Sequence, residues 1–134
     1  MRLMMFCGNK NEKICNENVC IPYELTDKCQ MLVVNEDGIV LIKLWPNNAK
    51  INDYYLDGAT VLQKEEIQLN KNIFHVPETF LGYIKMDMEV VICGVGDHIE
   101  IINASDFEKM FNGKESILEK IISEFYYEGV QDYE

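Results

Sequence analysis

The sequence predicts a mainly β fold with flanking helices, an α+β chain built from two similar halves. Three observations predict it. Two pairs of apolar, β-branched runs are each joined by a short link: "MLVV" (31–34) to "IVLIKLW" (39–45), and "EVVI" (89–92) to "HIEII" (98–102). Each pair follows a short apolar stretch that opens on asparagine and ends in proline, from Asn18 to Pro22 and from Asn72 to Pro77. After Asn103 the pattern changes to helical spacing.

The first link, Asn35-Glu36-Asp37-Gly38, carries an Asp-Gly pair, a strong hairpin signal between β-rich runs. The second, Cys93-Gly94-Val95-Gly96-Asp97, raises the question of a phosphate cradle. A dinucleotide fingerprint needs a third glycine three positions after Gly96 and a helix opening there. Position 99 is Ile99, followed by β-branched residues, so this link also reads as a hairpin turn.

Pro22 and Pro77 lie 55 residues apart. Each leads into a segment able to form one or two helical turns, "YELTDK" and "ETFLGYIKMD". The expectation is an internal duplication within one domain spanning 1–134. Repeat one covers about 5–46, a polar linker 47–58, repeat two about 59–103, and a helical segment 104–134. The linker could hold a short helix from Asn48 to Leu56. Ser105 stands three residues before Glu108, a capping-box spacing that predicts a helix start, and Asn112-Gly113 would end that helix. Ile117, Leu118, Ile121, Ile122 and Phe125 then place an apolar stripe on a helix from Lys114 to about Glu128, with Gly129 as its C-cap. That stripe suits packing on its own domain, or docking between subunits with Tyr126, Tyr127 and Tyr133.

The chain has 134 residues and a formal net charge of −11, with Arg2 its one arginine. Residues 1–50 are balanced, whereas 51–103 carry −6 and 104–134 carry −5. Such a field repels phosphate over most of the surface. Only the opening stretch, with Arg2, Lys10 and Lys13 against Glu12, is locally positive. No apolar run reaches the roughly 18 residues of a membrane span, and the opening stretch is too short in its apolar part for a secretion signal. The five cysteines, at 7, 15, 20, 29 and 93, contain no CxxC pair. They read as buried free thiols in a reducing cytoplasm, without a disulfide framework or a zinc set.

With these elements placed, the stretch from "DYYLDGAT" through "NIFHVPETFLGYIKMDMEVVICGVGDHIEIINASDFEKMF" resembles the second half of MraZ proteins. The matching residues are Gly58-Ala59-Thr60, Pro77, Val90-Val91, Gly94-Val95 and Glu100-Ile101, with Ile102 where the family prefers tryptophan. "MFCG" (5–8) resembles the family's opening, and "LWP" (44–46) its aromatic-proline pair after the first hairpin. The resemblance implies two pseudo-symmetric SpoVT/AbrB-like halves forming a compact β-barrel-like core. It also implies a cytoplasmic bacterial transcription regulator that binds DNA as a homo-oligomer, with a ring as the family's assembly.

The chain departs from the family at the residues that read DNA. Each half of a typical member carries an Asp-x-x-Gly-Arg turn before its proline-ended strand. Here the arginine positions hold Asn18 and Ile73, and the glycine positions hold Glu17 and Asn72. The second half's aspartate position holds Leu69, and the strand "VLQKEEIQ" (61–68) is about four residues longer than the pattern, adding Glu65 and Glu66. Losing arginine removes a fork of donors suited to phosphate and base edges. The remaining candidates for nucleic-acid contact are Lys10, Lys13 and Lys71, which read less directionally than arginine. The competing expectation is a degenerate relative that keeps its assembly surface and pairs with a protein partner. No cofactor, metal or catalytic residue is expected. His75 and His98 are expected on strands as surface or half-buried residues, with His98 and Glu100 forming a weak ion pair and Trp45 in the core.

Overall fold

The computed structural model describes residues 6–47, 51, 58–84 and 88–113, the last three of them by backbone only. The chain divides into two compact units, Met1–Ala104 and Ser105–Glu134. In order, the elements are β1 (Phe6–Lys13), β2 (Asn18–Cys20), β3 (Lys28–Glu36), β4 (Ile39–Pro46), β5 (Ala59–Gln68), β6 (Ile73–His75), α1 (Glu78–Ile84), β7 (Glu89–Gly96), β8 (Ile99–Asn103) and α2 (Ala104–Gly113). The protein is thus mainly β with short helices. Among the described residues no helix is long and apolar enough to cross a membrane.

Six strands form one antiparallel sheet in the order β1-β7-β8-β4-β3-β5, and β2 with β6 forms a separate two-stranded ribbon. The two expected hairpins are β3–β4 and β7–β8. Each receives its next strand from elsewhere in the chain: β1 pairs with β7, and β5 with β3. Exchanging β1 with β5, β2 with β6, β3 with β7 and β4 with β8 turns the strand order into its own reverse. The sheet stays open among the described residues, ending at β1 and β5, so the expected barrel-like closure is not what the strands form.

The core lies between one sheet face and a layer made of the ribbon, α1 and their connections. Cys29, Met31 and Val33 of β3, Val40, Ile42 and Leu44 of β4, Val90 and Ile92 of β7, and Ile99 and Ile101 of β8 contribute from the sheet. Val19, Ile21, Phe74, Val76, Phe80 and Ile84 meet them from the opposite layer. Each such side chain, fully removed from water, stabilises the fold by about 1.5–3 kcal/mol. The opposite face of the central strands is buried as well, through Leu32, Val34, Leu41, Trp45, Val91 and Ile102. Burial on both faces explains why "IVLIKLW" shows no polar alternation.

Turn chemistry fixes the registers. Asp37 and Gly38 take φ of 53° and 86°, the left-handed pair that a two-residue hairpin link needs. In the second hairpin Gly96 has φ 76°, and Val95 N–H donates to the His98 carbonyl at 2.9 Å. Gly94 serves another purpose. A Cβ there would sit 2.4 Å from the Cys7 backbone nitrogen, so glycine is what lets β1 lie against β7. The pair Gly94 and Gly96 therefore joins strands and holds no phosphate loop.

Several local expectations are corrected. "YELTDK" forms no helix. Tyr23 instead packs edge-on against Phe6 and donates its hydroxyl to the Gly8 carbonyl at 2.6 Å, while Leu25 enters the core. These tertiary contacts hold the segment irregular. Its counterpart after Pro77 does form a helix, α1, with Phe80 and Ile84 buried four residues apart on one face. The second helix starts at Ala104, directly after β8, one residue before the expected Ser105, and is described as far as Gly113, so its expected end at Asn112-Gly113 lies at the limit of the described residues. Cys7, Cys15 and Cys20 are exposed, and only Cys29 and Cys93 are buried. The three exposed thiols lie on the edge strand β1, beside the turn into β2 and on the ribbon's outer face, where none of the described residues forms a covering layer. The expected helices 48–56 and 114–128, Gly129 and Arg2 lie outside the described residues.

Two outcomes test this packing. Gly94→Ala forces β1 off β7 and should cost several kcal/mol, as core overpacking does, read as a lower urea midpoint. A midpoint within experimental error of the parent contradicts the close approach. Glu17, at φ 65°, sits in a backbone region that disfavours side chains by about 1–2 kcal/mol, so Glu17→Gly should raise the midpoint. A lowered midpoint contradicts the turn geometry.

Candidate nucleic-acid interface

Two tight turns build this surface. At the first, Cys15 and Asn18 exchange backbone hydrogen bonds of 2.8 and 3.0 Å around Asn16 (φ 51°) and Glu17 (φ 65°). At the second, Asn70 and Ile73 do the same around Lys71 (φ 52°) and Asn72 (φ 63°). Every residue of the first turn has its counterpart 55 positions later. Asparagine tolerates this backbone; glutamate and lysine hold it because the paired strands on either side close the turn.

The strands that leave these turns pair with each other. Asn18 faces His75, Val19 faces Phe74, and Cys20 faces Ile73. Two further bonds lock the ribbon across its ends: Ile21 N–H donates to the Asn72 carbonyl, and Val76 N–H to the Glu17 carbonyl, both at 2.8 Å. Val19 and Phe74 point inward and are 1% exposed. Alternation then sends Asn18, Cys20, Ile73 and His75 to the outer face. Cys20, Ile73 and His75 are exposed there and Asn18 is half-buried, its side-chain oxygen 3.2 Å from His75 Nδ1. The two positions where the family resemblance expects arginine, 18 and 73, therefore share one outward surface.

Charge on this surface is sparse. Lys71 is exposed at the tip of the second turn, where the first turn has Asn16, and the charged residue of the first turn is Glu17. Lys10 and Lys13 are exposed on β1, with Lys13 ending the strand that feeds the first turn. The three lysines thus lie on two separate elements, an edge strand and a turn, rather than on one row. His75 is the outer face's only imidazole among the described residues, and Ile73, 40% exposed, is an apolar side chain in its middle. A neutral outer face of this kind offers stacking and hydrogen bonding, with little to draw a polyanion.

Titratable groups do converge elsewhere, on the far face of the sheet. Lys43, 3% exposed, contacts Glu36 and Glu100, each at 2.8 Å. Glu100 Oε2 also lies 3.1 Å from His98 Nε2, and His98 Nδ1 lies 2.7 Å from Asp97. His98 stacks on Trp45 with ring centroids 4.3 Å apart and planes 17° apart. His98 lies in the bend just before β8 and is fully buried, which corrects the expected surface or half-buried strand position. The register sets this: β8 begins with Ile99 opposite Leu44, so the residue before it falls beside Trp45, a neighbour 53 residues away. Trp45 is in the core as expected, and its Nε1 finds no acceptor among the described residues.

The far-face groups hold one another in place. Burial alone would raise the Glu100 carboxyl, but the His98 hydrogen bond and the Lys43 charge outweigh it and hold the pKa below the usual value. Burial alone would lower Lys43, but Glu100 and Glu36 outweigh it and raise the ammonium. Burial, followed by the Glu100 charge, pushes the Cys93 thiol up to about 12, so it stays protonated and unreactive. Among the described residues no group of three or more histidine, cysteine or acidic side chains is placed to hold a metal ion.

The network makes an acid-side prediction. A depressed carboxyl contributes stability above its unfolded value near 4.5, and the contribution is lost as pH falls through the lower folded value. Glu100→Gln should flatten the fall in stability below about pH 4.5, measured by urea unfolding across pH. Lys43→Ala leaves Glu100 without its cation and should cost about 3–5 kcal/mol at neutral pH. An unchanged acid limb together with a loss under 1 kcal/mol would contradict the network.

A scan against protein-family models gives no match to this chain, and no curated protein matches it.

Proposed function

We propose that this chain is a divergent MraZ-like protein: two SpoVT/AbrB-like halves from an internal duplication, acting in the bacterial cytoplasm as an oligomeric, non-enzymatic DNA-binding regulator. One observation carries this reading. Two left-handed turns 55 residues apart present paired strands whose outward positions 18 and 73 coincide with the family's arginine positions. The residues at its glycine positions, Glu17 and Asn72, both have positive φ, as a glycine-based turn would require. Such a ribbon offers two equivalent surfaces related by a dyad, the arrangement that matches a two-fold DNA site. DNA contact then falls to Lys71 at the ribbon and to Lys13 at the end of the strand beside it. Repetition around an assembly multiplies these weak contacts through effective concentration.

A second reading has its own observation. The arginine positions hold a half-buried asparagine and an exposed isoleucine on a chain of net charge −11, a surface better suited to a protein than to a phosphate backbone. On this reading the scaffold serves a protein partner and DNA is not bound.

Fluorescence anisotropy against duplex DNA containing repeated family-type operator sites, at two salt concentrations, separates the readings. The regulator predicts binding at 50 mM salt that weakens as salt rises, and an Asn18→Arg/Ile73→Arg variant that binds more tightly. Two added phosphate contacts should steepen the salt dependence by roughly two units of slope. If neither protein binds at 50 mM salt, the DNA reading falls and the protein-partner reading takes its place.

A further inference from the structure

The sheet's two ends differ in a way that the core does not require. β1 and β5 are antiparallel to each other through five successive antiparallel pairings, and each is hydrogen-bonded on one side only among the described residues. Both are long for edge strands, eight and ten residues, and both are exposed over most of their length. Natural sheets blunt such edges with bulges and charges, because an open edge is a template for another strand. β5 has a register shift opposite Val33 and Val34 that leaves Leu62 without a partner, and Val61 and Leu62 are 43% and 45% exposed. Beyond that bulge, from Gln63 to Gln68, the strand pairs regularly with β3.

Charge distinguishes the two edges. β1 carries Lys10 and Lys13 against Glu12, while β5 carries Glu65 and Glu66 against Lys64. The lysines of one strand and the glutamates of the other give net charges of opposite sign.

We infer that β5 of one copy takes β1 of a second copy as its next antiparallel strand, so that the sheet continues from subunit to subunit. This rests on the oligomeric part of the proposed function and assigns a surface to it. Face parity limits the register. Lys10 stands opposite Ile92, and Glu65 opposite Met31, so both point to the core side of their sheet. A continuous sheet keeps core-side residues opposite core-side residues. The register that sets Lys10 against Glu65 then sets Glu12 against Gln63, Asn11 against Lys64 and Asn9 against Glu66. It brings no two like charges together. A β1–β1 contact or a β5–β5 contact would join surfaces of the same net sign. The contact is head-to-tail, so the sheet's twist decides whether it closes into a ring or runs on.

Charge exchange tests the inference in the absence of DNA, so its outcome is independent of nucleic-acid binding. The parent, Lys10→Glu, Glu65→Lys and the double variant would be compared by light scattering over a concentration series in low salt. Both positions are exposed, so the variants should fold, which circular dichroism would verify. Each single reversal should weaken association roughly tenfold, and the double variant should recover most of that loss. A parent that stays monomeric at tens of micromolar overturns the inference. So do single variants that associate like the parent, or a double variant as weak as the singles.

Discussion

Backbone hydrogen bonding between the two halves of the chain is the constraint on which the rest depends. β1 completes the hairpin that contains β7, and β5 completes the hairpin that contains β3. The ribbon repeats this exchange on the other side of the core, with β2 from one half against β6 from the other. Neither half therefore owns a complete sheet. Within a half, the hairpin would face an empty edge and the short proline-ended strand would have no partner. A two-stranded unit is marginal in water, so the buried layer of Val19, Phe74, Phe80 and the sheet's apolar face forms only when both halves are present.

The same constraint shapes the surface. Pairing β2 with β6 brings positions 18 and 73, far apart in sequence, onto one outward face, and it fixes the two turns at the ribbon's ends. A scaffold of this kind can keep its architecture while its outer residues change, because Val19 and Phe74 supply the core burial and the outer side chains stay out of the core. The side chains at positions 18 and 73 can change at little cost to the core.

Much of the fold was legible in the sequence because it is written locally. Asp37-Gly38 announces its hairpin through backbone conformation, and the β-branched runs on either side of Gly94 to Gly96 announce the other. The interval between Pro22 and Pro77 anticipated the turns at Asn16-Glu17 and Lys71-Asn72, whose dihedrals agree at the same spacing. What could not be read depends on partners distant in sequence. His98 looks like any strand-end histidine until the register places it over Trp45 and against Glu100. The exposure of Cys7, Cys15 and Cys20 follows from their lying on an edge strand, a turn and an outer ribbon face, none visible in composition. "YELTDK" has helix-compatible residues, yet Tyr23 and Leu25 are claimed by Phe6 and the core. Of the candidate contacts, Lys71 proved to be at a turn tip. The available signal was Asn72, the residue after it, because asparagine tolerates a left-handed backbone.

The most direct test of the exchange is a measurement of scalar coupling across individual backbone hydrogen bonds by solution NMR on the full chain. The account predicts couplings from the Ile21 amide nitrogen to the Asn72 carbonyl carbon and from the Val76 amide nitrogen to the Glu17 carbonyl carbon. Couplings from these amides to carbonyls within their own half, in place of the crossed pair, would contradict it.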